Sequence, residues 1–234
     1  MGQYLKLFRT EADYEAASIK PQLAHIIEDV NIIEAETRLV AIHNVTTTSS
    51  PTYLISSQNM SGFTSMEIDG VMLPEVVTGY TFSTTGKHTV KLGLRDQTTI
   101  GGSQGYMSSC LTLTSVIIPL GVEHITTSMF HGCYNLKDVV FPDGLKEVGQ
   151  YSFNGCSGLT EVDLPDSVTL LNSSCFSNCT SLQSFTIHAT TPPSLGNGLS
   201  NTNNCIIYVP VNSVSRYKSN RDWRNLSSRI QAIP

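Results

Sequence analysis

Four cysteines fall at one fixed step in the second half of this chain. Cys110, Cys133, Cys156 and Cys179 each follow the previous one by 23 residues. Other positions keep the same step. Phe130, Phe153 and Phe176 do so, with Met107 in the earlier slot. Leu113, Leu136, Leu159 and Leu182 form a third series, Val116, Val139, Val162 and Phe185 a fourth, and Ile118, Phe141, Leu164 and Ile187 a fifth. Pro119, Pro142 and Pro165 follow the last of these. Apolar positions in register at a period of 20–50 residues define supersecondary units that bury a core only by stacking on one another. The chain is therefore expected to contain a solenoid, an architecture that offers long surfaces.

The unit reads I-G-x-x-x-F-x-x-C-x-x-L-x-x-V-x-I-P-x-x-V, and its best copy runs from Val148 to Val168. The first copy is irregular. Ile100 to Met107 spans seven residues where Ile125 to Phe130 spans five, a two-residue insertion. A deviant terminal copy is what an end position produces.

Because the four cysteines occupy equivalent positions, they are expected to stack as a ladder. Neighbouring coils lie about 5 Å apart, within bridging distance. Stacked side chains point the same way, however, which is poor disulfide geometry. Buried free thiols acting as small hydrophobes are the reading adopted. No CxxC pair exists, and Cys175 and Cys179 have no nearby histidine or second pair, so no metal is expected.

The remaining chain has a different texture. Only 14% of the 234 residues are charged and 40% are hydrophobic, a balance too apolar for disorder and suited to turn-rich β structure. The net charge is −5 with no basic block, which argues against nucleic acid as a partner. The opening MGQYLKLFRTEADYEAA has no apolar run of signal-peptide type, and no stretch approaches the ~20 apolar residues of a membrane span.

Residues 1–36 read as a docking segment. A short strand lies at Tyr4–Phe8, and a helix over Glu11–Ala17 is capped by Thr10. LAHIIEDVNIIEAE follows; it fits a hairpin turning at Glu28-Asp29, with a helix from Pro21 as the competing reading. Residues 37–96 hold short strands, LVAIHNVTT, TYLIS, FTSMEID, GYTFS and HTVKLGL. Turns at Ser49-Ser50-Pro51, Asp69-Gly70 and Thr85-Gly86 separate them and suggest a small β-sandwich. Residues 97–190 are the repeats. Residues 191–234 break the pattern at Thr191-Pro192-Pro193 and supply a last strand, Cys205–Pro210, and a helix capped by Asn212. Val214, Tyr217, Trp223, Leu226 and Ile230 are expected to cover the open solenoid end.

SFNGCSGLTEVDLPDSV and MFHGCYNLKDVVFPDGL resemble the BspA-like, or treponemal-type, leucine-rich repeat. The segment from Ala189 to Ile233 looks like the closing segment common in gut bacterial members. SMEIDGV and YTFSTTGKHTVKLGLRD are similar to the β-domain that often precedes such repeats. YLKLFRTEADYEAA resembles a short leader of phage-derived proteins of gut bacteria. The resemblance implies a right-handed solenoid with one short strand per coil. The fold expected is thus mostly β: about four 23-residue repeats, preceded by a small β-sandwich-like domain and capped by a C-terminal strand and helix. The resemblance also implies adhesion or recognition of a protein or glycan without catalysis, at a cell surface or on a phage virion. A structural virion or tail component, in which the solenoid is a rigid spacer or receptor-binding tip, is the alternative. Oligomer formation through residues 1–36 would favour that alternative.

Catalytic motifs are missing. The six histidines are scattered, with no HxxxH spacing, and no G-x-S-x-G elbow occurs. Glu161 and Asp163, two apart on one strand, could reach the separation that paired carboxylates need in glycoside hydrolysis, as many surface pairs could. No cofactor is expected. The candidate ligand face comes from strand geometry instead. In L-x-x-V-x-I the Leu, Val and Ile positions enter the core, so the intervening residues line an exposed sheet. The rows are Thr114, Ser115 and Ile117; Lys137, Asp138 and Val140; Thr160, Glu161 and Asp163; Gln183, Ser184 and Thr186. They form a mixed polar face with an acidic patch at Asp138, Glu161 and Asp163.

Overall fold

A computed structural model describes residues 38–101 and 105–234. The expected strand, helix and hairpin of residues 1–36 lie outside them. The amino-terminal part carries β1 (Arg38–Val45), β2 (Thr52–Tyr53), β3 (Phe63–Ile68), β4 (Val71–Met72), β5 (Gly79–Tyr80) and β6 (Gly86–Leu94). Each lies within or beside a run expected to be extended. The turn at Asp69-Gly70 joins β3 to β4. Both residues have positive φ, 49° and 84°, the conformation a tight two-residue hairpin requires.

The repeats contribute two strands per coil where one was expected. The longer ones are β8 (Leu113–Ile117), β10 (Asp138–Val140), β12 (Glu161–Leu164) and β14 (Ser184–Ile187). Between them come β7 (Thr99–Ile100), β9 (His124–Ile125), β11 (Glu147–Val148), β13 (Leu170–Leu171) and β15 (Ser194–Leu195), each two residues long. These short strands form a parallel five-stranded sheet of their own. Glu147 pairs with Leu170, a step of 23 residues, whereas Ile100 pairs with Ile125, a step of 25. The two extra residues are the insertion expected in the first copy.

The pattern does not stop at Thr191. β16 (Ile206–Val209) pairs parallel with β14, and β17 (Ile230–Ala232) pairs parallel with β16. The expected break at residue 191 is corrected to a degenerate continuation. Leu136, Leu159 and Leu182 each donate their backbone N–H to the carbonyl of the cysteine three residues earlier, and Cys205 donates to Thr202 in the same way. Thr202 therefore takes the cysteine slot and Cys205 the leucine slot. Leu199 takes the phenylalanine slot, because the amides of Phe153 and Phe176 reach Cys175 and Gly198, each the residue just before that slot in the next coil.

A positive-φ ladder runs through the same coils: Ser109 (59°), Gly132 (70°), Gly155 (76°), Asn178 (62°) and Asn201 (55°). Each is 23 residues after the previous one. Gly and Asn are the residues that reach this left-handed region at least cost. The first four donate their amides to the next coil, at His131, Asn154, Ser177 and Ser200.

The core is one cluster from Leu39 to Ile230. All four ladder cysteines are fully buried free thiols. The last three thiols each donate to a carbonyl of the preceding coil: Cys133 to Met107 at 3.0 Å, Cys156 to Phe130 at 3.2 Å and Cys179 to Phe153 at 3.3 Å. Beside them the Phe130, Phe153 and Phe176 rings stack 5.1 and 5.0 Å apart. Burial holds the thiols protonated, pushing Cys133 and Cys179 up to about 12.

The amino-terminal part is not a free-standing sandwich. Its main sheet runs in the order β10-β8-β1-β6-β3-β4, so β1 pairs antiparallel with the first long strand of the repeats. The second layer is only the two-stranded ribbon of β2 and β5, whose ends carry Leu54, Ile55 and Phe82 into the shared core.

Candidate functional site

Two surfaces flank the core. The first is the expected sheet face. Register aligns Ser115 with Asp138 and Ile117 with Val140 in one block, and Glu161 with Ser184 and Asp163 with Thr186 in another. The sheet divides between β10 and β12, so the acidic patch spans a break in the hydrogen-bond ladder. Val139 and Phe141, core positions by period, are only half-buried at this break. Phe141 still packs edge-on against Phe153, at 5.6 Å.

Lys137, Thr160 and Gln183 are exposed. Asp138, Val140, Glu161, Asp163 and Ser184 are half-buried. Asp138 accepts a hydrogen bond from the Ser115 hydroxyl at 3.2 Å, and Asp163 lies 2.8 Å from His188 Nε2. Among the described residues the buried Ser184 hydroxyl oxygen finds no hydrogen-bond partner, an unusual state for a polar atom. Three residues expected on the exposed face are corrected to buried: Ser115 at 6%, Ile117 at 2% and Thr186 at 7% exposure. Their strands have neighbours on both sides. Ile117 sits between Val40 and Val140, Ser115 between Ile42 and Asp138, and Thr186 between Asp163 and Tyr208. Residue alternation assigns Val40 and Ile42 to this face too. They stand outside the main core cluster and are buried to 0 and 1% exposure. The open part of the face is thus carried by the middle and later coils.

The second surface is a groove along the short-strand sheet, which the sequence reading did not single out. Its volume is about 350 Å³. His124, Glu147 and Asn172, from successive coils, form its polar spine. Glu147 Oε1 accepts from Asn172 Nδ2 at 2.6 Å and Oε2 lies 3.3 Å from His124 Nδ1. Gly149 lines the groove too, and a Cβ there would meet the backbone of Ile125 and Thr126 at 2.6 Å. The spacing of 23 and 25 residues among His124, Glu147 and Asn172 is visible in the sequence, but unlike polar side chains do not announce a row.

Among the described residues, no three His, Cys, Asp or Glu side chains gather as a metal site requires, and no helix is long and apolar enough to cross a membrane.

The sequence pattern of the BspA type leucine rich repeat region matches in six copies over residues 98–217, just over half of the chain. The protein belongs to this leucine-rich repeat family, whose repeats are in general a non-enzymatic, protein-interaction fold and whose members are often surface-associated. Among solved structures, a leucine-rich repeat protein from Bacteroides ovatus is similar at 19% identity, over 56% of this chain and 45% of that one, with a TM-score of 0.30. This chain therefore spans under half the length of that protein. No curated protein matches it.

Proposed function

We propose that this protein is a non-enzymatic recognition module, displayed at a cell surface or on a phage virion, that holds a protein or glycan on its repeat face. The contact residues are Lys137, Asp138, Val140, Glu161, Asp163, Gln183 and Ser184, with Thr186 buried behind them. The observation that carries the reading is the contrast between the two sides of the same strands. Facing the core, equivalent positions hold like residues, as in Val116, Val139 and Val162. Facing outward, Asp138, Glu161 and Ser184 share one position, as do Val140, Asp163 and Thr186. A constant scaffold presenting unlike side chains at fixed spacing is how repeat proteins build binding surfaces. A right-handed winding belongs to this reading.

The test is a selection for ligands from a displayed extracellular-protein library and a glycan array, followed by a Glu161→Lys/Asp163→Lys variant. Loss of the selected ligand with an unchanged melting transition supports the reading. Equal retention by the variant removes this face from consideration. The rigid virion spacer is the second reading, favoured by the unbroken sheet from β4 to β10 that locks the amino-terminal part to the repeats. It expects an oligomer that dissociates when residues 1–36 are removed, measured by light scattering.

A further inference from the structure

The groove on the short-strand sheet has a chemistry distinct from the repeat face. Seven polar side chains line it. Thr99, Thr126 and Thr127 bring hydroxyls, Gln150 and Asn172 bring amides, and Glu147 and His124 bring a carboxylate and an imidazole. Its apolar lining is Ile125, which is itself fully buried. A pocket that anchors a peptide offers an apolar or aromatic recess, and this one does not. Its volume of about 350 Å³ lies at the lower end of small-ligand sites, enough for one sugar unit with its hydroxyls.

The polar groups are held before any ligand arrives. Glu147 is fixed from both sides, by Asn172 at 2.6 Å and His124 at 3.3 Å. The three residues come from consecutive coils, so the stack itself sets their spacing. His124 Nε2 lies 3.9 Å from the Glu123 carboxylate, beyond hydrogen-bond distance, and is placed to engage a ligand hydroxyl. The Asn172 amide has its oxygen to offer once its nitrogen is committed to Glu147. Charge narrows the class further. Glu147 lines the groove, and Glu123, next to His124 in the chain, is tied to Lys146 at 2.6 Å. Among the described residues that line the groove there is no lysine or arginine, so an anionic sugar would meet a carboxylate with no cation beside it.

We propose that this groove binds a neutral, hydroxyl-rich ligand, a single neutral sugar unit at the end of a glycan. Glu147 and Asn172 accept from its hydroxyls, and Gln150, Thr126 and Thr127 complete the ring of donors and acceptors. The site is separate from the repeat face, so a variant of one leaves the other unchanged.

The test is a printed array of neutral saccharides and their sialylated or uronic counterparts, probed with the whole chain and with Asn172→Ala, Thr127→Val and Asp163→Asn variants. The expected result is retention of neutral glycans, at least tenfold weaker for Asn172→Ala, weaker for Thr127→Val and unchanged for Asp163→Asn. Thr127→Val replaces a hydroxyl by a methyl of similar size, so it reports on binding even if Asn172→Ala disturbs the coil stack. Three results would overturn the proposal: no neutral glycan retained, retention of acidic glycans alone, or neutral retention that survives both groove variants. Loss of binding in Asp163→Asn alone would move the sugar to the repeat face.

Discussion

The two ends of the solenoid are closed by opposite means. At the amino-terminal end an unrelated strand continues the sheet. β1 lies antiparallel to β8, and Asn44 donates to the Thr112 carbonyl at 2.7 Å. The Cys110 thiol, which has no earlier coil to reach, donates instead to Leu54 at 3.0 Å. At the carboxyl-terminal end the repeat closes itself by decaying. Leu199 and Thr202 replace Phe and Cys, the strand-to-strand path shortens by a residue, and then α1 (Val214–Ser219) and a 3-10 turn carry aromatic side chains across the end. Tyr217 and Trp223 are fully buried and meet edge-to-face at 5.2 Å. Their polar atoms donate to Ala189 and Pro193 carbonyls, both at 2.8 Å. A ladder of identical units needs its edge strand and its exposed core covered. One end borrows a foreign strand for the purpose, and the other converts its own last units.

The sharpest way to break this comparison is to remove the decaying end. Deleting residues 205–234 uncovers β14 and the core around Phe176 and Phe185, and the expected outcome is aggregation or loss of cooperative unfolding. A soluble truncation with an unchanged melting transition would show the tail to be an appendage. Next in size are single aromatic truncations. Trp223→Ala at the end and Phe153→Ala in the middle should each cost about 3–5 kcal/mol in denaturant unfolding, because both side chains are completely buried. A much smaller loss at Trp223 would separate plug from core. At the other end, Ala41→Pro places a ring and a missing donor in a strand paired on both sides, with an expected cost of about 3 kcal/mol. Solvent exposure of Cys110 to thiol reagents should rise in that variant before exposure of Cys179.

Two pH flanks sharpen the same contrast. His43, buried beside the amino-terminal joint, is lowered to about 4 by burial and then by the nearby His88. The unfolded imidazole takes its proton near pH 6.5 and the folded one does not. This contribution is therefore complete above pH 6.5 and is lost as pH falls towards 4. The ladder thiols act with the opposite sense. Unfolded cysteines ionise near pH 8.5, whereas burial holds Cys133 and Cys179 up to about 12. Their contribution is complete below about pH 8.5 and falls as pH rises towards 12. The melting temperature should decline on both flanks, at about 2–4 °C per kcal/mol for a chain of this size. A His43→Asn variant should flatten only the acid side. The smallest effect expected is that of Cys179→Thr, about 1 kcal/mol, since Thr202 already fills that slot one coil later with its hydroxyl donating to Leu199 at 2.9 Å. A cost as large as that of Phe153→Ala would mean that the thiol ladder, more than the stacked rings, carries the middle coils.

The central coils were legible because period and burial coincide there. Cys, Phe and Leu recur at one step, and every ladder cysteine and leucine is fully buried. The last coils were hidden because their backbone pattern persists while the residue types change. Asn201 continues the left-handed ladder with a residue common in any loop. The short strands were missed for a simpler reason: two residues cannot show an alternation. The joint between β1 and β8 links residues some 70 positions apart, and nothing local in either strand names its partner. On the candidate surfaces, alternation identified the outward side of each strand, but neighbouring strands decided how much of it met solvent. That decision placed Thr186 and Ile117 inside. The groove escaped because its polar spine joins three unlike residues.

The antiparallel joint also has a mechanical consequence. β1 is held along eight register pairs by β6 and along four by β8. A load drawn along the strand from Arg38 pulls on these bonds together, so rupture requires many of them to fail in one event. Among the described residues, a load on Pro234 first meets the Ile233–Val209 bond and the three pairs of β17 with β16 and can peel them singly. Forced detachment is a rate set by such barriers rather than by overall stability. Hung by its amino-terminal side, the molecule bears tension along its longest run of paired residues. Hung by the other end, it frays.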